Sequence, residues 1–393
     1  MLTTINIGTT GLTGFTKELE TISNNVANLN TPSFKASKSQ FTALFSGSEA
    51  GGAIGQNGKP QGQTGYGLGT LPSVINFEQG QLTQTGQDLD VAIDGEGFFV
   101  LRDASGATLY SRDGSFNFDD KGILVNASGA KVMGLDAEGR LQEIRTDGLK
   151  TNPALATTKI TLAGKVLSAE SAKVLSGVNV IDKTGSTHAL TIELANTGSV
   201  VPGSWSVALK DGSTVLGTGE VRFNQGELDP DFSDVAFKYT PAGLDEMALT
   251  LKFGPEVSSP ASGTSTLAVS AIDGHVDGVL VKTTFDAVGN LVLSYSNGET
   301  VKKQQLALAR PRNTSDLVPA GSNSYKSIRP DTVVLGVAVP GQTKLTADAL
   351  EGSNVDLSSE FSAIIVTQRG YQASSQLIST ANELIDTLLH MKG

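Results

Sequence analysis

The chain contains no cysteine, which removes disulfide staples, thiolate nucleophiles and cysteine-ligated zinc from its chemistry at once. It also lacks any excess of positive charge. The formal net charge is −11, and charged residues make up 18% of its 393 residues, against about 25% in an average soluble protein. With no basic stripe to neutralise phosphates, neither nucleic acid nor an anionic membrane surface is expected as a partner. No run of about 18 apolar residues is present, so no membrane span is expected. The opening Met1-Leu2-Thr3-Thr4-Ile5-Asn6-Ile7 has no basic n-region, no continuous apolar stretch and no small-residue cleavage site, so no cleaved secretory signal is expected there.

The groups that carry catalysis are equally sparse. Of the three histidines, His188, His275 and His390, none stands in a metal-ligand spacing such as His-x-x-x-His, so no metal site is expected. Asp94 and Glu96 have the residue types of a glycosidase carboxylate pair, but their place in Asp-Gly-Glu-Gly reads as a turn. Gly65-Tyr66-Gly67-Leu68-Gly69 has the look of a phosphate-cradling loop, yet no strand pattern leads into it and no helical pattern follows. Trp205, Tyr295 and Tyr325 read as core or strand-surface aromatics. No catalytic residue, cofactor or metal is assigned, and the chain is read as a non-enzyme.

What is abundant is glycine, 45 residues of it, and a strict spacing of apolar residues at the two ends. Ile5, Leu12, Phe15, Leu19, Ile22, Val26 and Leu29 step by three and four, with Gly8 in the same series, as in a coiled-coil seam. The alternation returns through Leu357, Phe361, Ile364, Gln368, Tyr371, Ser375, Ile378, Asn382, Ile385 and Leu389. Each end predicts a helix. The first should stop where Asn24, Asn25, Asn28 and Asn30 accumulate before Pro32, and the second has Ser353 and Asn354 as candidate caps.

A narrow apolar stripe on one helix needs a partner, and the helix at the other end of the chain is the nearest. Pairing them nests everything between. Even so paired, an outer edge that includes Leu2, Ile7, Leu377, Leu384 and Leu388 stays uncovered, and at about 25 cal/mol per Å² that edge is worth several kcal/mol to neighbouring copies. Gly8, Gly11, Gly14 and Gly370 weaken both helices by about 1 kcal/mol each relative to Ala, so the ends are expected to order on docking.

Between the helices, residues 46–70 are too poor in bulky groups to hold a core and read as part of a connector. From about Leu71 to Asn354 the period falls to two, broken by Asp-Gly and Asn-Gly pairs, which predicts an all-β region. An apolar-Asp-x-x-Gly-x-Leu motif recurs at Phe118 to Leu124, Leu135 to Leu141 and Phe285 to Leu291, where Asp can close an Asx turn and Gly can take positive φ. The fold class expected is mainly β with α-helical termini, the terminal helices pairing as a coiled-coil-like domain nested around two β-rich domains. Its parts are a terminal helical assembly domain of 1–29 plus 355–393, a connector of 30–70, a first β domain of 71–148 plus 273–354 and an inserted second β domain of 149–272.

The segment Ile22-Ser23-Asn24-Asn25-Val26-Ala27-Asn28-Leu29-Asn30-Thr31-Pro32-Ser33-Phe34-Lys35 resembles the N-terminal signature of the flagellar rod and hook axial proteins. Asn354-Val355-Asp356-Leu357-Ser358-Ser359-Glu360-Phe361, with Gln368-Arg369-Gly370-Tyr371-Gln372, resembles the closing signature of that family. Asp90 to Phe99, Tyr110 to Phe116 and Leu293 to Thr300 are similar to its β-domain segments. Ser33 stands where the family usually has Gly, and Gly370 where a better helix former is usual. Rod members lack a sizeable middle insertion, so the resemblance favours the hook branch over a distal rod subunit; a secreted β-rich adhesin or carbohydrate-active protein is the reading from another class. The resemblance implies a helical homopolymer forming a flexible tubular joint that passes motor torque to the filament. It further implies export without signal cleavage through the flagellar type III apparatus, an extracellular place in the hook, and distal rod, hook cap and hook–filament junction proteins as partners.

Overall fold

A computed structural model describes residues 2–45, 65–136, 138–241, 243–339 and 343–391, and the Gly-rich stretch 46–64 of the expected connector lies outside them. The described chain is mainly β, with one long helix at each end: α1, Leu2–Ala27, and α2, Leu357–Met391. It divides into two units. The first comprises Met1–Asp147, Thr283–Val292 and Lys302–Gly393, and the second comprises Gly148–Lys282 and Leu293–Val301.

α1 is a helix in spite of its threonines and glycines. Thr9, Thr13, Thr16 and Thr21 each turn the hydroxyl back onto the carbonyl four residues earlier, at 2.9–3.0 Å, so the hydroxyls are satisfied without leaving the helix. The asparagines end it: Asn28 Nδ2 donates to Asn24 O at 2.9 Å, and the Asn28 amide divides between the Asn24 and Asn25 carbonyls. α2 starts on Asp356, whose Oδ1 accepts the Ser358 amide at 2.9 Å. Asp356 therefore caps this helix in place of the expected Ser353 and Asn354, because Asn354 is occupied elsewhere.

In the first unit the chain's two halves interleave. Strand Leu82–Gln84 pairs with Ala349–Glu351, Val91–Gly95 with Thr343–Ala347, and Phe98–Arg102 with Leu308–Pro311, all antiparallel. Their core holds Phe98, Val100, Tyr110, Met133, Ala307, Ala309, Leu317 and Tyr325. Phe77, Phe98 and Tyr325 meet edge to face at 5.1–6.1 Å, and burial pushes the Tyr325 phenol up to about 12 with help from the Glu351 charge. Strands Ser37–Phe45 and Gly65–Ile75 form a ribbon, so the glycines of 65–69 lie in a strand.

The second unit is built on two sheets. One is an up-and-down run of five strands from Ala172–Ile181 to Glu227–Leu228; the other orders Asp234–Tyr239, Met247–Phe253, Lys159–Ala163 and Ala268–Ile272. Alternate residues enter a common core around Trp205, Leu162, Ile192, Phe237, Tyr239 and Phe253.

The repeated Asp motif is a turn in all three places. Asp119, Asp136 and Asp286 each accept, through Oδ1, the amides two and four residues on, at 2.8–3.1 Å. Gly122, Gly139 and Gly289 follow at φ of 70–89°. Asp103 and Asp182 build the same loop with Gly106 and Gly185. Asp182 also accepts Thr184 Oγ1 at 2.6 Å and faces His188 Nε2 at 2.8 Å, contacts that hold its carboxyl well below the usual carboxylate range.

A carboxylate with a depressed folded-state pKa stabilises above its unfolded value and loses that contribution as pH falls through the folded value. The melting temperature of the monomer is therefore expected to hold from neutral pH down to about 4 and then to decline. Asp182→Asn should lower it by several degrees at neutral pH and flatten the acid slope; an unchanged slope in calorimetry would remove Asp182 from the account.

Candidate assembly interface

α1 and α2 lie side by side, and the contact between them is made by small residues. A Cβ on Gly8 would stand 2.7 Å from Ile378 Cγ1, one on Gly11 2.8 Å from Ser374 Oγ, and one on Gly370 2.5 Å from Phe15 Cζ. Thr367, Ser374 and Ala381, one heptad apart, are the buried residues of α2. The ring of Phe15 thus lies on the bare backbone of Gly370, which gives that glycine a packing reason.

The other side of α1 carries the ribbon. Thr10 Oγ1 accepts the Leu68 amide at 3.1 Å, a Cβ on Gly14 would come within 2.5 Å of Leu68 Cδ2, and Thr21 meets Ser39 at 2.9 Å. α1 is covered on two faces.

Of the residues read from the apolar spacing, Ile22 is buried, and Ile5, Leu12, Phe15, Leu19, Val26, Leu29, Ile364, Ile378 and Ile385 are half-buried. Leu357, Phe361, Gln368, Tyr371, Asn382 and Leu389 are exposed. The difference has a steric cause: two helices that touch through glycine and serine approach too closely for large side chains at the contact, so those turn outward. What remains exposed on α2 is a series of large apolar side chains along its length, among them Phe361 at 52%, Val366 at 69%, Leu384 at 53% and Leu389 at 66%. Ile7, Ile365, Leu377 and Leu388 are exposed as well; the side chain of Leu2 lies outside the described residues.

At the base of the helix pair the signature residues meet. Asn25 Nδ2 donates to Ser37 O at 2.8 Å and to Glu360 Oε1 at 2.9 Å, while its Oδ1 accepts the Ser37 amide at 2.9 Å. One buried asparagine so ties the end of α1 to the first turn of α2. Asn354 Oδ1 accepts the Ala36 amide at 2.7 Å, and its Nδ2 donates to the carbonyls of Asn76 and Glu78, both at 2.9 Å.

Beneath them lies a buried charge cluster. Lys35 Nζ donates to Glu351 Oε1 at 2.6 Å and to Glu78 O at 2.7 Å; Arg112 reaches Glu351 Oε2 at 3.5 Å. Burial holds both Lys35 and Arg112 below their ordinary values, against the opposing pull of Glu351. Ser33 stands at φ 57°, the left-handed region, with its amide on Glu351 O at 2.7 Å and its hydroxyl on Arg112 O at 2.9 Å. These two bonds offset the strain of a non-glycine residue there.

The remaining signature residues divide. Val355 is buried; Asn28 Oδ1 accepts the Thr31 hydroxyl at 3.0 Å; and the Asn354 amide donates to Phe34 O at 3.3 Å. Asn24, Asn30, Asp356, Gln368, Arg369 and Tyr371 are exposed. Arg112 lies in the Tyr110 to Phe116 segment, whereas Glu351, central to the cluster, carries no sequence signal that distinguishes it from a surface charge. Among the described residues no group of three or more His, Asp or Glu side chains is placed to hold a metal ion, and no helix is long and apolar enough to cross a membrane.

Three family models match the chain. They are described as Flagella basal body rod protein, over residues 5–35, Flagellar hook protein FlgE/F/G D1 domain, over 92–201, and Flagellar basal body rod FlgEFG protein C-terminal, over 346–391. The flagellar hook protein FlgE of Escherichia coli K12 is 29% identical, covering 97% of this chain and 98% of its own. That of Treponema pallidum is 28% identical with both chains covered in full, and that of Rhizobium meliloti 27%, over 99% and 98%. A crystal structure of Helicobacter pylori flagellar hook protein FlgE2 shares the fold at a TM-score of 0.51 and 12% identity, over 67% of this chain and 98% of that one.

Proposed function

We propose how this chain assembles from the premise that it belongs to the flagellar rod and hook protein family, as a structural subunit of the hook. Many copies bundle their helix pairs around a common axis, and the β-rich domains stand outside. The observation that carries this is the series of large apolar side chains along α2 that pairing with α1 leaves open to solvent. Phe and Leu side chains repay about 1.5–3 kcal/mol each on leaving water, and identical copies are the partners always at hand when a tube grows.

In this reading residues 1–29 and 355–393 act as the assembly domain and 30–70 as its connector. Residues 71–148 with 273–354, and 149–272, act as the outer domains. The seam residues from Ile5 to Leu29 and from Leu357 to Leu389 divide their work: the half-buried ones hold the pair together and the exposed ones meet neighbours. The tube serves as a flexible joint that transmits torque, reached by export through the flagellar type III apparatus, with rod, cap and junction proteins at its ends.

Purified protein at high salt and high concentration is expected to form tubes visible by electron microscopy. Protein that stays monomeric under those conditions, with both helices strongly protected from hydrogen exchange, overturns the reading.

A further inference from the structure

Lys35 and Glu351 are 316 residues apart in sequence, and their side chains are fully buried against each other. Lys35 lies on the segment that leaves α1, and Glu351 ends the strand that leads into α2. The cluster therefore sits on both of the chain segments that join the helix pair to the β body of the first unit. Its bonds are directional. Glu351 Oε1 accepts Lys35 Nζ and the Gly80 amide, at 2.6 and 2.7 Å, and Arg112 comes to Oε2. Arg112 in turn donates to the Ile93 carbonyl at 3.3 Å and to that of Gly95 at 2.8 Å, on a strand of the β body.

Buried ion pairs contribute little net stability, since an apolar pair of equal volume is often as good or better; what they add in the best-attested cases is a single allowed register. Apolar side chains tolerate a small slip or rotation. Opposed charges with fixed hydrogen bonds do not.

We propose that the Lys35–Glu351–Arg112 cluster is a register lock that fixes the angle at which the helix pair leaves the β body and thereby sets the helical geometry of the tube. The lever is long. A helix of 35 residues spans about 50 Å at 1.5 Å per residue, so a tilt of about 10° at its base moves its tip by about 9 Å, nearly one helix diameter. The neighbour's exposed apolar side chains would then meet the wrong ridge.

The proposal rests on the assembly reading above, and the experiment separates the two. Wild-type protein, Lys35→Met and the double variant Lys35→Met/Glu351→Leu are purified at full length, melted, and assembled for helical reconstruction. The single variant leaves Glu351 buried without its closest cation and should melt about 5 °C or more below wild type. The double variant leaves Arg112 with only the Ile93 and Gly95 carbonyls, so it should regain part of that loss, yet form tubes of altered twist. A refolded double variant whose tubes keep the wild-type rise and twist overturns the lock. If the double variant does not fold, Lys35→Arg takes its place: it keeps the charge but changes the donor geometry, and the same change or constancy of twist decides. Wild-type protein that forms no tubes sinks the assembly reading instead.

Discussion

A chain carrying Phe361→Glu and Leu388→Glu is expected to melt as the parent does and to form no tubes. Both residues are about half exposed, at 52% and 49%, so in the monomer the new carboxylates stay in water and little packing is lost. In a tube each loses about half of the 1.5–3 kcal/mol that full apolar burial is worth, and each buried carboxylate adds a larger desolvation cost on top. The sum exceeds about 4 kcal/mol per subunit, which raises the critical concentration by roughly a thousandfold or more. Sedimentation of assembled material against total protein measures it. Tubes at the parental concentration would mean that the exposed apolar side chains of α2 are not where copies meet.

The second large effect is expected from Gly8→Leu and Gly370→Leu. Helix propensity argues that both stabilise, since Leu is the better helix former by nearly 1 kcal/mol per site. Packing argues the reverse. The first Cβ alone would stand 2.7 Å from Ile378 and 2.5 Å from Phe15, and three further carbons have no room. We expect packing to win: α1 and α2 separate, protection from hydrogen exchange is lost in both, and assembly fails. Thr9→Ala, on an exposed position of α1, is the control in which propensity acts alone and assembly persists. Retained protection in the glycine variants would show that the helices do not depend on close approach.

The contrast explains what was legible in the sequence. Apolar spacing marks helices through their large residues, and both helices were plain from it. The spacing does not tell which face meets which, because α2 carries large apolar residues on its exposed side while its contact side is Thr367, Gly370, Ser374 and Ala381. Small residues leave almost no trace in a hydrophobicity pattern, although they decide how near two helices come. The Asp turns were legible because each is local: Asp, two arbitrary residues and Gly suffice to close the loop.

Signature residues Asn25, Lys35 and Asn354 could be named from the sequence but not explained, since their partners Glu360, Glu351 and Ala36 lie more than 300 residues away along the chain. Glu351 was invisible for the same reason. The pairing of Ser37–Phe45 with Gly65–Ile75 likewise joins strands across a long Gly-rich stretch, too long for its glycine pairs to fix the register.

The interleaving of the first unit bears on the order of events when a chain becomes available from one end. Strands Leu82–Gln84 and Val91–Gly95 have no ladder partners until Ala349–Glu351 and Thr343–Ala347 arrive, whereas Phe98–Arg102 can pair at once with Thr108–Ser111 and most of the second unit is one continuous stretch. Loop-closure entropy delays such distant pairings. The middle of the polypeptide is thus free to settle early, while Leu82–Gln84 and Val91–Gly95 wait, edges open, for nearly the last residues to be delivered. A molecule stopped short of residue 343 would keep those edges permanently bare, a template for aggregation rather than a smaller version of the same subunit.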